Sequence, residues 1–249
     1  MEGKVALVTG AASGIGRAAA QLFAEKGCKV IVSDITQSKG EETVDLIRKS
    51  GGEATFVRAD VSKGDDVENL IAKTVEIYGQ LDYAFNNAGI PGPIKSIAEF
   101  TDEEWYSRID VNLNGVFLCL KYEIRQMRKQ GTGGAIVNAS SAAGLLGPPS
   151  NHAYTAAKHG VIGLTRSAAL ECAKENIRIN AICPGLTETG MHDGPEGQEA
   201  KKFLITLQPN GRIASPMEIA ETAVWLCSDA ASFVLGAYLA VDGGVTASL

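Results

Sequence analysis

Residues 5–16 read VALVTGAASGIG, a short apolar run followed by a turn that contains three glycines. The apolar run predicts a buried strand, and Gly10, Gly14 and Gly16 predict a tight turn that opens a helix. Glycines at such a turn let the backbone approach a pyrophosphate, while the helix N-terminus supplies amide donors and a favourable dipole. The spacing is GxxxGxG rather than GxGxxG, so this loop alone is only a weak indication of a nucleotide site.

An acidic residue at the end of the second predicted strand strengthens this interpretation. The run KVIVSD (29–34) ends in Asp34, 18 residues after Gly16. A carboxylate at about that distance can accept hydrogen bonds from the ribose hydroxyls of an adenosine. The loop and the acid together predict a dinucleotide site.

The rest of the chain alternates β-branched runs with longer helical patterns. Strands are predicted at 5–9, 29–34, 54–60, 81–87, 133–140, 177–183 and 237–244, and helices near 15–26, 38–49, 64–78, 102–129, 153–173 and 216–228. This order predicts an α/β fold, a Rossmann-type doubly wound parallel sheet of about seven strands with helices on both faces. Because no linker or repeat interrupts the pattern, we expect one domain over residues 1–249.

One segment departs from this alternation. Residues 186–212 are rich in glycine, proline and polar side chains. An irregular connection of that length is unusual unless it has a function, so a lid over a substrate site is expected there.

Composition narrows the class of protein. The net charge of −6 and the pI near 5.2 argue against nucleic-acid or anionic-membrane partners. Five widely spaced cysteines without a CxxC motif indicate a reducing compartment, and three histidines offer little for a metal site. Without a signal peptide or a long apolar stretch, the chain is expected to be cytoplasmic.

The stretch NHAYTAAKHG (151–160) places Tyr154 and Lys158 four residues apart, which on a helix is the same face. A nearby cation favours a phenolate and lowers the pKa of a tyrosine. The pair therefore has the composition of a tuned acid/base, although a packed tyrosine beside a lysine extended along its surface gives the same pattern.

Six motifs in order resemble those of the short-chain dehydrogenase/reductase family, over nearly the whole chain. They are TGAASGIG, NNAG (86–89), VNLNG with Asn112, IVNASSAAG with Ser141, YTAAK, and NAICPGLTETGM. The second serine, Ser141, is favoured over Ser140 because it falls 13 residues before Tyr154.

The resemblance implies hydride transfer between a nicotinamide cofactor and an alcohol or carbonyl. Tyr154 would be the general acid/base, and Lys158 would lower its pKa and hold the nicotinamide ribose. Ser141 would orient the substrate oxygen. Asn112 would anchor a water that links Lys158 to solvent.

The same resemblance implies a set of cofactor-binding positions around the glycine loop and the following strands. Asn86 and Gly89 would lie beside the adenosine ribose, although Asn86 and Asn87 could instead mainly join the strands of the sheet. Asp60 and Val61 would lie beside the adenine, and Thr189 on the nicotinamide carboxamide. The full set is Gly10, Ser13, Gly14, Ile15, Gly16, Asp34, Ile35, Asp60, Val61, Asn87, Ala88, Gly89, Tyr154, Lys158, Pro184, Gly185, Thr187 and Thr189.

NAD is the expected cofactor, because the Asp34 carboxylate would repel a 2′-phosphate and Ser13 supplies no compensating cation. Arg17, the nearest loop cation, is expected to point away. The substrate is expected to be an uncharged, hydrophobic or alicyclic secondary alcohol or its ketone. The apolar C-terminus and the family resemblance suggest a homotetramer.

Three alternatives stay open at this point. One is an NADPH-dependent carbonyl reductase of the same fold. The second is a non-catalytic nucleotide-sensing regulator, which would be expected to have lost Ser141, Tyr154 or Lys158. A methyltransferase with a glycine loop is the third, although it has no need of the YTAAK stretch.

Overall fold

The computed structural model describes residues 1–190, 201, 205, 206 and 208–248. Its described part contains one parallel sheet in the order β3-β2-β1-β4-β5-β6-β7. The strands are β1 (Val5–Thr9), β2 (Lys29–Asp34), β3 (Glu53–Arg58), β4 (Tyr83–Asn86), β5 (Gly134–Ala139), β6 (Ile177–Pro184) and β7 (Tyr238–Val241).

Helices cover both faces of this sheet. In the described residues they are α1 (Gly14–Glu25), α2 (Gln37–Lys49), α3 (Gly64–Tyr78), α4 (Asp102–Ile109), α5 (Gly115–Gln130), α6 (His152–Cys172) and α7 (Pro216–Cys227). Side chains of α1, α2 and α7 form one core with the sheet, and those of α3, α5 and α6 form a second core. The predicted doubly wound α/β fold is confirmed.

The direction of strand addition reverses between β1 and β4, which are neighbours in the sheet although β2 and β3 separate them in the chain. In open α/β sheets, ligands bind at the carboxyl ends of the strands beside such a reversal. The loops that follow β1, β4, β5 and β6 meet at that edge, so they define where the site is to be sought.

The chain is helical from Asp102 to Gln130, as predicted near 102–129, but the helix is not regular throughout. The chain forms α4, then a π-helical turn over Asp110–Asn114 in which the Gly115 amide donates to the Asp110 carbonyl, then α5. Several strands are also shorter than predicted, since β4 covers four residues and β7 covers four. Polar residues near these strand ends, such as Asn87 and Asp242, bond to loops instead of extending the ladder.

Most of the predicted lid, 191–200, 202–204 and 207, lies outside the described residues. At the N-terminal end of α7, Ser215 and Glu218 form a reciprocal capping box and Pro216 occupies the first turn. Within the described residues, no helix combines the length and apolarity needed to cross a bilayer.

Candidate active site

The glycine loop between β1 and α1 adopts a conformation that larger residues resist. Gly10 and Gly14 have φ angles of +63° and +52°, which is the left-handed region. A Cβ on Gly10 would lie 2.8 Å from the Cα of Ala88, and one on Gly14 would lie 2.9 Å from Cγ2 of Thr189. The loop after β1 is therefore pressed between the loops that follow β4 and β6.

The N-terminus of α1 is available to an anion. Ser13 precedes the helix in an extended conformation, and among the described residues no side chain caps the first turn and no acidic residue lies in it. Uncapped first-turn amides favour a pyrophosphate. Gly16 fits closely against the Gly10 carbonyl and the Asn87 side chain, and Ile15 packs against the core. The cradle fits a dinucleotide.

Asp34 lies at the carboxyl end of β2, where its carboxylate borders the glycine loop. Its Oδ2 accepts from the Ala12 amide at 3.2 Å, and its Oδ1 accepts from the Thr36 amide at 2.9 Å. These bonds fix a partly exposed negative charge beside the loop. Ile35, the next residue, is 58% exposed and offers an apolar surface there.

Arg17 was expected to point away from the glycine loop, but its guanidinium lies against the loop. Its Nη2 donates to the Ala12 carbonyl at 2.6 Å and both terminal nitrogens bond to the Glu42 carboxylate. Nε also donates to Thr43 at 3.0 Å. The guanidinium thus lies between the loop and α2, with its charge balanced by Glu42.

The residues of the NNAG motif make hydrogen bonds both to the glycine loop and within the sheet. The Asn87 side chain donates to the carbonyls of Thr9 and Gly10, and the Ala88 amide donates to Thr9 Oγ1 at 3.2 Å. Asn86 is 2% exposed and donates into the sheet, so the expectation that it lies beside the ribose was wrong. Strand alternation turns Asn86 inward and leaves Asn87 at the loop.

Asp60 and Val61 follow β3 at the same edge of the sheet. Asp60 Oδ1 accepts from both the amide and the hydroxyl of Ser62, which forms a closed turn. Val61 is 7% exposed and packs in a small cluster with Val67 and Cys119. The Val61 side chain therefore packs beneath the carboxyl edge of the sheet, against α3 and α5.

The segment after β6 completes the cleft. Pro184 ends β6, and a Cβ on Gly185 would lie 2.7 Å from the Cα of Asp242, so only glycine fits there. Thr187 is buried, with its hydroxyl on the Gly185 carbonyl at 3.1 Å. Thr189 faces the glycine loop through the contact with Gly14 described above.

Tyr154 and Lys158 lie in the first two turns of α6, with the Lys158 Nζ 5.5 Å from the centre of the Tyr154 ring. Lys158 is 3% exposed and donates to the Ala139 carbonyl, at the end of β5, at 2.8 Å. The helix geometry thus places a buried ammonium beside a partly exposed phenol at the carboxyl edge of the sheet.

The electrostatics of this pair differ from the expectation that Lys158 lowers the pKa of Tyr154. Burial raises the pKa of Tyr154, and a hydrogen bond with the Ser141 side chain acts in the opposite direction. Burial also lowers the pKa of Lys158 to about 8, with Cys183 nearby acting the other way. Desolvation, which disfavours either charge, is the largest cause of both shifts.

The two neighbouring serines have distinct environments. Ser140 is buried and its hydroxyl donates to the Lys158 carbonyl at 2.8 Å. Ser141 begins the short turn after β5 and accepts from the Ala143 amide at 3.1 Å, and its side chain lies near Tyr154. Ser141 is therefore the serine that shares an opening with the phenol.

Asn112 lies in the π-helical turn and is fully buried. Its side chain accepts from the Ile90 amide and donates to the Ile90 carbonyl, each at 3.0 Å. A Cβ on Gly89 would lie 2.8 Å from Asn112 Oδ1 and 3.7 Å from Lys158 Nζ. Glycine at 89 thus lets the π-helical turn approach the lysine.

Comparison with known proteins adds an independent observation. Residues 10–246 match the family model described as Enoyl-(Acyl carrier protein) reductase. The chain is 45% identical to 2,5-dichloro-2,5-cyclohexadiene-1,4-diol dehydrogenase of Sphingobium indicum over 249 residues, 99% of this chain and 98% of that protein. It is 45% identical to cyclohexanol dehydrogenase of an Acinetobacter species, over 98% of this chain and 95% of that one.

A crystal structure of levodione reductase superposes with a TM-score of 0.95 at 36% identity, covering 100% of both chains. The chain therefore belongs to the short-chain dehydrogenase/reductase family. Membership makes it an oxidoreductase that works with a nicotinamide cofactor.

Proposed function

We propose that this protein is an NAD-dependent dehydrogenase that interconverts an uncharged alicyclic secondary alcohol and its ketone. The observation that carries the proposal is the position of Tyr154 beside the Ser141 side chain, with the buried Lys158 Nζ 5.5 Å from the centre of the phenol ring. These three groups face the same edge of the sheet as the glycine loop, so a proton donor and a dinucleotide cradle share one cleft.

The nicotinamide supplies or accepts the hydride when the cofactor is bound. Tyr154 transfers a proton to or from the substrate oxygen, and Ser141 donates to the same oxygen and orients it. Lys158 holds the nicotinamide ribose and, as a cation, stabilises the Tyr154 phenolate after proton loss. Asn112 keeps the π-helical turn against Ile90, where a water can relay protons between Lys158 and solvent.

Preference for NAD is proposed from charge. The Asp34 carboxylate is fixed beside the loop, where it can accept from the 2′ and 3′ hydroxyls of the adenosine ribose. A 2′-phosphate there would meet a like charge. Gly10, Gly14 and Gly16 would admit the pyrophosphate, Asp60 and Val61 would border the adenine, and Thr189 would hold the carboxamide.

An NADPH-dependent carbonyl reductase is kept as a second candidate because Arg17 lies against the loop, at the Ala12 carbonyl. Its charge is already balanced by Glu42. A free cation at that place would favour a 2′-phosphate, whereas a paired one favours NAD.

The alicyclic substrate class is supported by the activities for which the two relatives above are named, 2,5-dichloro-2,5-cyclohexadiene-1,4-diol dehydrogenase and cyclohexanol dehydrogenase. The segment between Ser141 and Tyr154, residues 142–153, would border a substrate at Tyr154, and its apolar and small residues include no arginine to bind a carboxylate or phosphate. An uncharged ring alcohol fits that surface best.

A homotetramer in the cytoplasm is also proposed, on a single domain spanning 1–249. Exposed apolar side chains lie on two separate parts of the surface: Phe117 and Leu170 on α5 and α6, and Trp225, Phe233 and Tyr238 around α7 and β7. Two such patches suit an assembly with two kinds of contact. Light scattering should give four times 26.1 kDa, and a monomer would contradict the proposal.

The test of the proposed function is a panel of cyclic and linear secondary alcohols, each assayed for cofactor reduction with NAD and with NADP. We expect the highest kcat/KM for a ring alcohol with NAD. A lack of reduction with every alcohol, or a clear preference for the linear over the cyclic secondary alcohols, would contradict the proposed substrate class.

A further inference from the structure

A carboxylic acid is buried in the sheet-facing side of α5. Glu123 is fully buried, at 0% exposed, and so is Asn86 of β4, at 2%. Glu123 Oε2 accepts from Asn86 Nδ2 at 2.9 Å. Glu123 falls one turn from Cys119 and one turn from Met127 on the apolar face of α5, where a charged residue is unexpected.

One oxygen of each of these two side chains is unpaired in the described part of the chain. Among the described residues, neither Glu123 Oε1 nor Asn86 Oδ1 finds a hydrogen-bond partner. Both atoms are acceptors if Glu123 is ionised, and leaving them buried without a donor is costly. A single proton on Glu123 Oε1 changes this, because the resulting hydroxyl can donate to Asn86 Oδ1.

That arrangement is the two-bond ring that a carboxylic acid forms with a carboxamide. The amide N–H donates to one carboxyl oxygen, and the carboxyl O–H donates to the amide oxygen. Burial raises the pKa of Glu123 to about 7, and the Asn86 hydrogen bond acts in the opposite direction. The titratable groups that interact with Glu123 are the thiols of Cys119 on α5 and Cys227 on α7, and burial raises the pKa of both.

The acid–amide pair is one end of a polar chain that reaches the helix carrying Tyr154 and Lys158. The other N–H of the Asn86 amide donates to Asn138 Oδ1 on β5 at 3.0 Å. Asn138 Nδ2 donates to Thr165 Oγ1 on α6 at 3.0 Å, and the Thr165 hydroxyl donates to the Val161 carbonyl at 2.8 Å. Val161 is three residues beyond Lys158.

We propose that Glu123 is held as a neutral carboxylic acid, joined to the Asn86 carboxamide by two hydrogen bonds, and that this pair is a positioning element for α6. The pairing itself does not depend on the enzymatic activity, whereas its role in positioning α6 rests on the proposed function. Glu123 contacts neither substrate nor cofactor in this account and acts through Asn86, Asn138 and Thr165.

The first test is the pH dependence of unfolding, measured by urea denaturation of the cofactor-free protein between pH 4.5 and 9. Glu123→Gln keeps both hydrogen bonds at every pH because its amide donates where the acid did. The unfolded glutamate ionises near pH ~4.3. Relative to Glu123→Gln, the wild-type unfolding constant should therefore rise on the order of a hundredfold from about pH 4.5 to about pH 7 and then level off.

The matched control is Glu103→Gln on α4, which removes an exposed carboxylate. This control should follow the wild type at every pH. A constant difference between the wild type and Glu123→Gln over the whole range would overturn the neutral acid. Should Glu123→Gln fail to fold, the infrared absorption of a protonated carboxyl in the wild type at pH 6 decides: its presence supports the pairing, and its absence overturns it.

The second test is the pH profile of kcat and of the cofactor KM for the same variants. The ratio of kcat for Glu123→Gln to that of the wild type should rise with pH across the same window, with the cofactor KM unchanged, because ionisation of Glu123 loosens the chain to α6. Superimposable kcat profiles would overturn the positioning role. A wild-type protein without dehydrogenase activity would contradict the proposed function instead, and the unfolding test would still decide the pairing.

Discussion

The Lys158 ammonium lies 5.5 Å from the centre of the Tyr154 ring, yet its own hydrogen bond goes to the Ala139 carbonyl. The lysine is therefore anchored to the end of β5 rather than to the phenol. Burying this cation is unfavourable for the fold without a ligand, since desolvation lowers the pKa of Lys158 to about 8. We infer that the cation is retained for the reaction and not for stability.

Replacing Lys158 by methionine should remove the unfavourable free energy of burying the ammonium, and the gain in stability should depend on pH. Between about pH 8 and the ordinary lysine value near ~10.4, the unfolded wild type binds more protons than the folded one, so wild-type stability rises with pH there. The stability of Lys158→Met relative to the wild type should therefore be greatest below pH 8 and shrink by up to roughly 3 kcal/mol by pH ~10.4. Urea denaturation of the cofactor-free proteins checks this, with the exposed Lys174→Met as control. Curves that stay parallel would contradict it.

The two adjacent serines should separate activity from stability. Ser141→Ala removes the hydroxyl beside Tyr154, and we expect kcat to fall roughly 10²-fold or more with little change in Tm. Ser140→Ala instead leaves the Lys158 carbonyl without its buried donor and should cost about 1–3 kcal/mol of stability. Kinetics and thermal melts of both variants check this. The reverse pattern would assign the substrate contact to Ser140.

Cofactor choice should depend on Asp34. We expect NAD to be preferred over NADP by at least about a hundredfold in kcat/KM, which corresponds to roughly 2.7 kcal/mol. Asp34→Ala should shrink that ratio mainly by improving NADP, because it removes the like charge beside a 2′-phosphate.

A second test of cofactor choice uses Arg17, whose charge is balanced by Glu42. Adding Glu42→Gln to Asp34→Ala removes the charge that balances the guanidinium, so NADP should improve further. Steady-state kinetics with both cofactors measure each step. Comparable efficiencies for NAD and NADP in the unmutated enzyme would overturn the role given to Asp34.

Gly14 should tolerate no side chain. Its φ of +52° disfavours other residues, and a Cβ would lie 2.9 Å from Thr189. Gly14→Ala should therefore weaken cofactor binding at least tenfold and lower stability by about 1–2 kcal/mol. Gly163→Ala in α6, where a Cβ meets nothing within 4 Å, should instead leave binding unchanged and stabilise by about 0.5–1 kcal/mol. Isothermal titration with NAD and thermal melts compare them, and equal effects would be inconsistent with this account of the loop.

The parts of the site that are formed by residues close together in the chain could be predicted from the sequence. The glycine turn, the acid that ends β2 and the tyrosine and lysine one turn apart are all short-range patterns, and the structure brings them to one edge of the sheet. The doubly wound order followed from alternating apolar runs, which report burial of the strands on both faces.

Features that depend on contacts between distant residues could not be predicted from the sequence. The π-helical turn at Asp110–Asn114 accompanies two hydrogen bonds between Asn112 and Ile90, a partner 22 residues away. The sequence left open whether Asn86 lies beside the ribose or joins the strands of the sheet, because its neighbour Asn87 has the same chemistry and faces the opposite way. The burial of Glu123 could have been predicted, because the residue occupies a core position in the apolar stripe of α5.

The central claim is that Tyr154 is the proton-transfer group of an NAD-dependent dehydrogenase. The most direct measurement compares kcat, and the NAD dissociation constant, of the wild type and Tyr154→Phe with the best alcohol from the panel. We predict a loss of roughly 10²-fold or more in kcat with NAD affinity within a few-fold, because only the transferable proton is removed. The exposed Tyr106→Phe should match the wild type. A Tyr154→Phe enzyme that turns over at the wild-type rate would contradict the account.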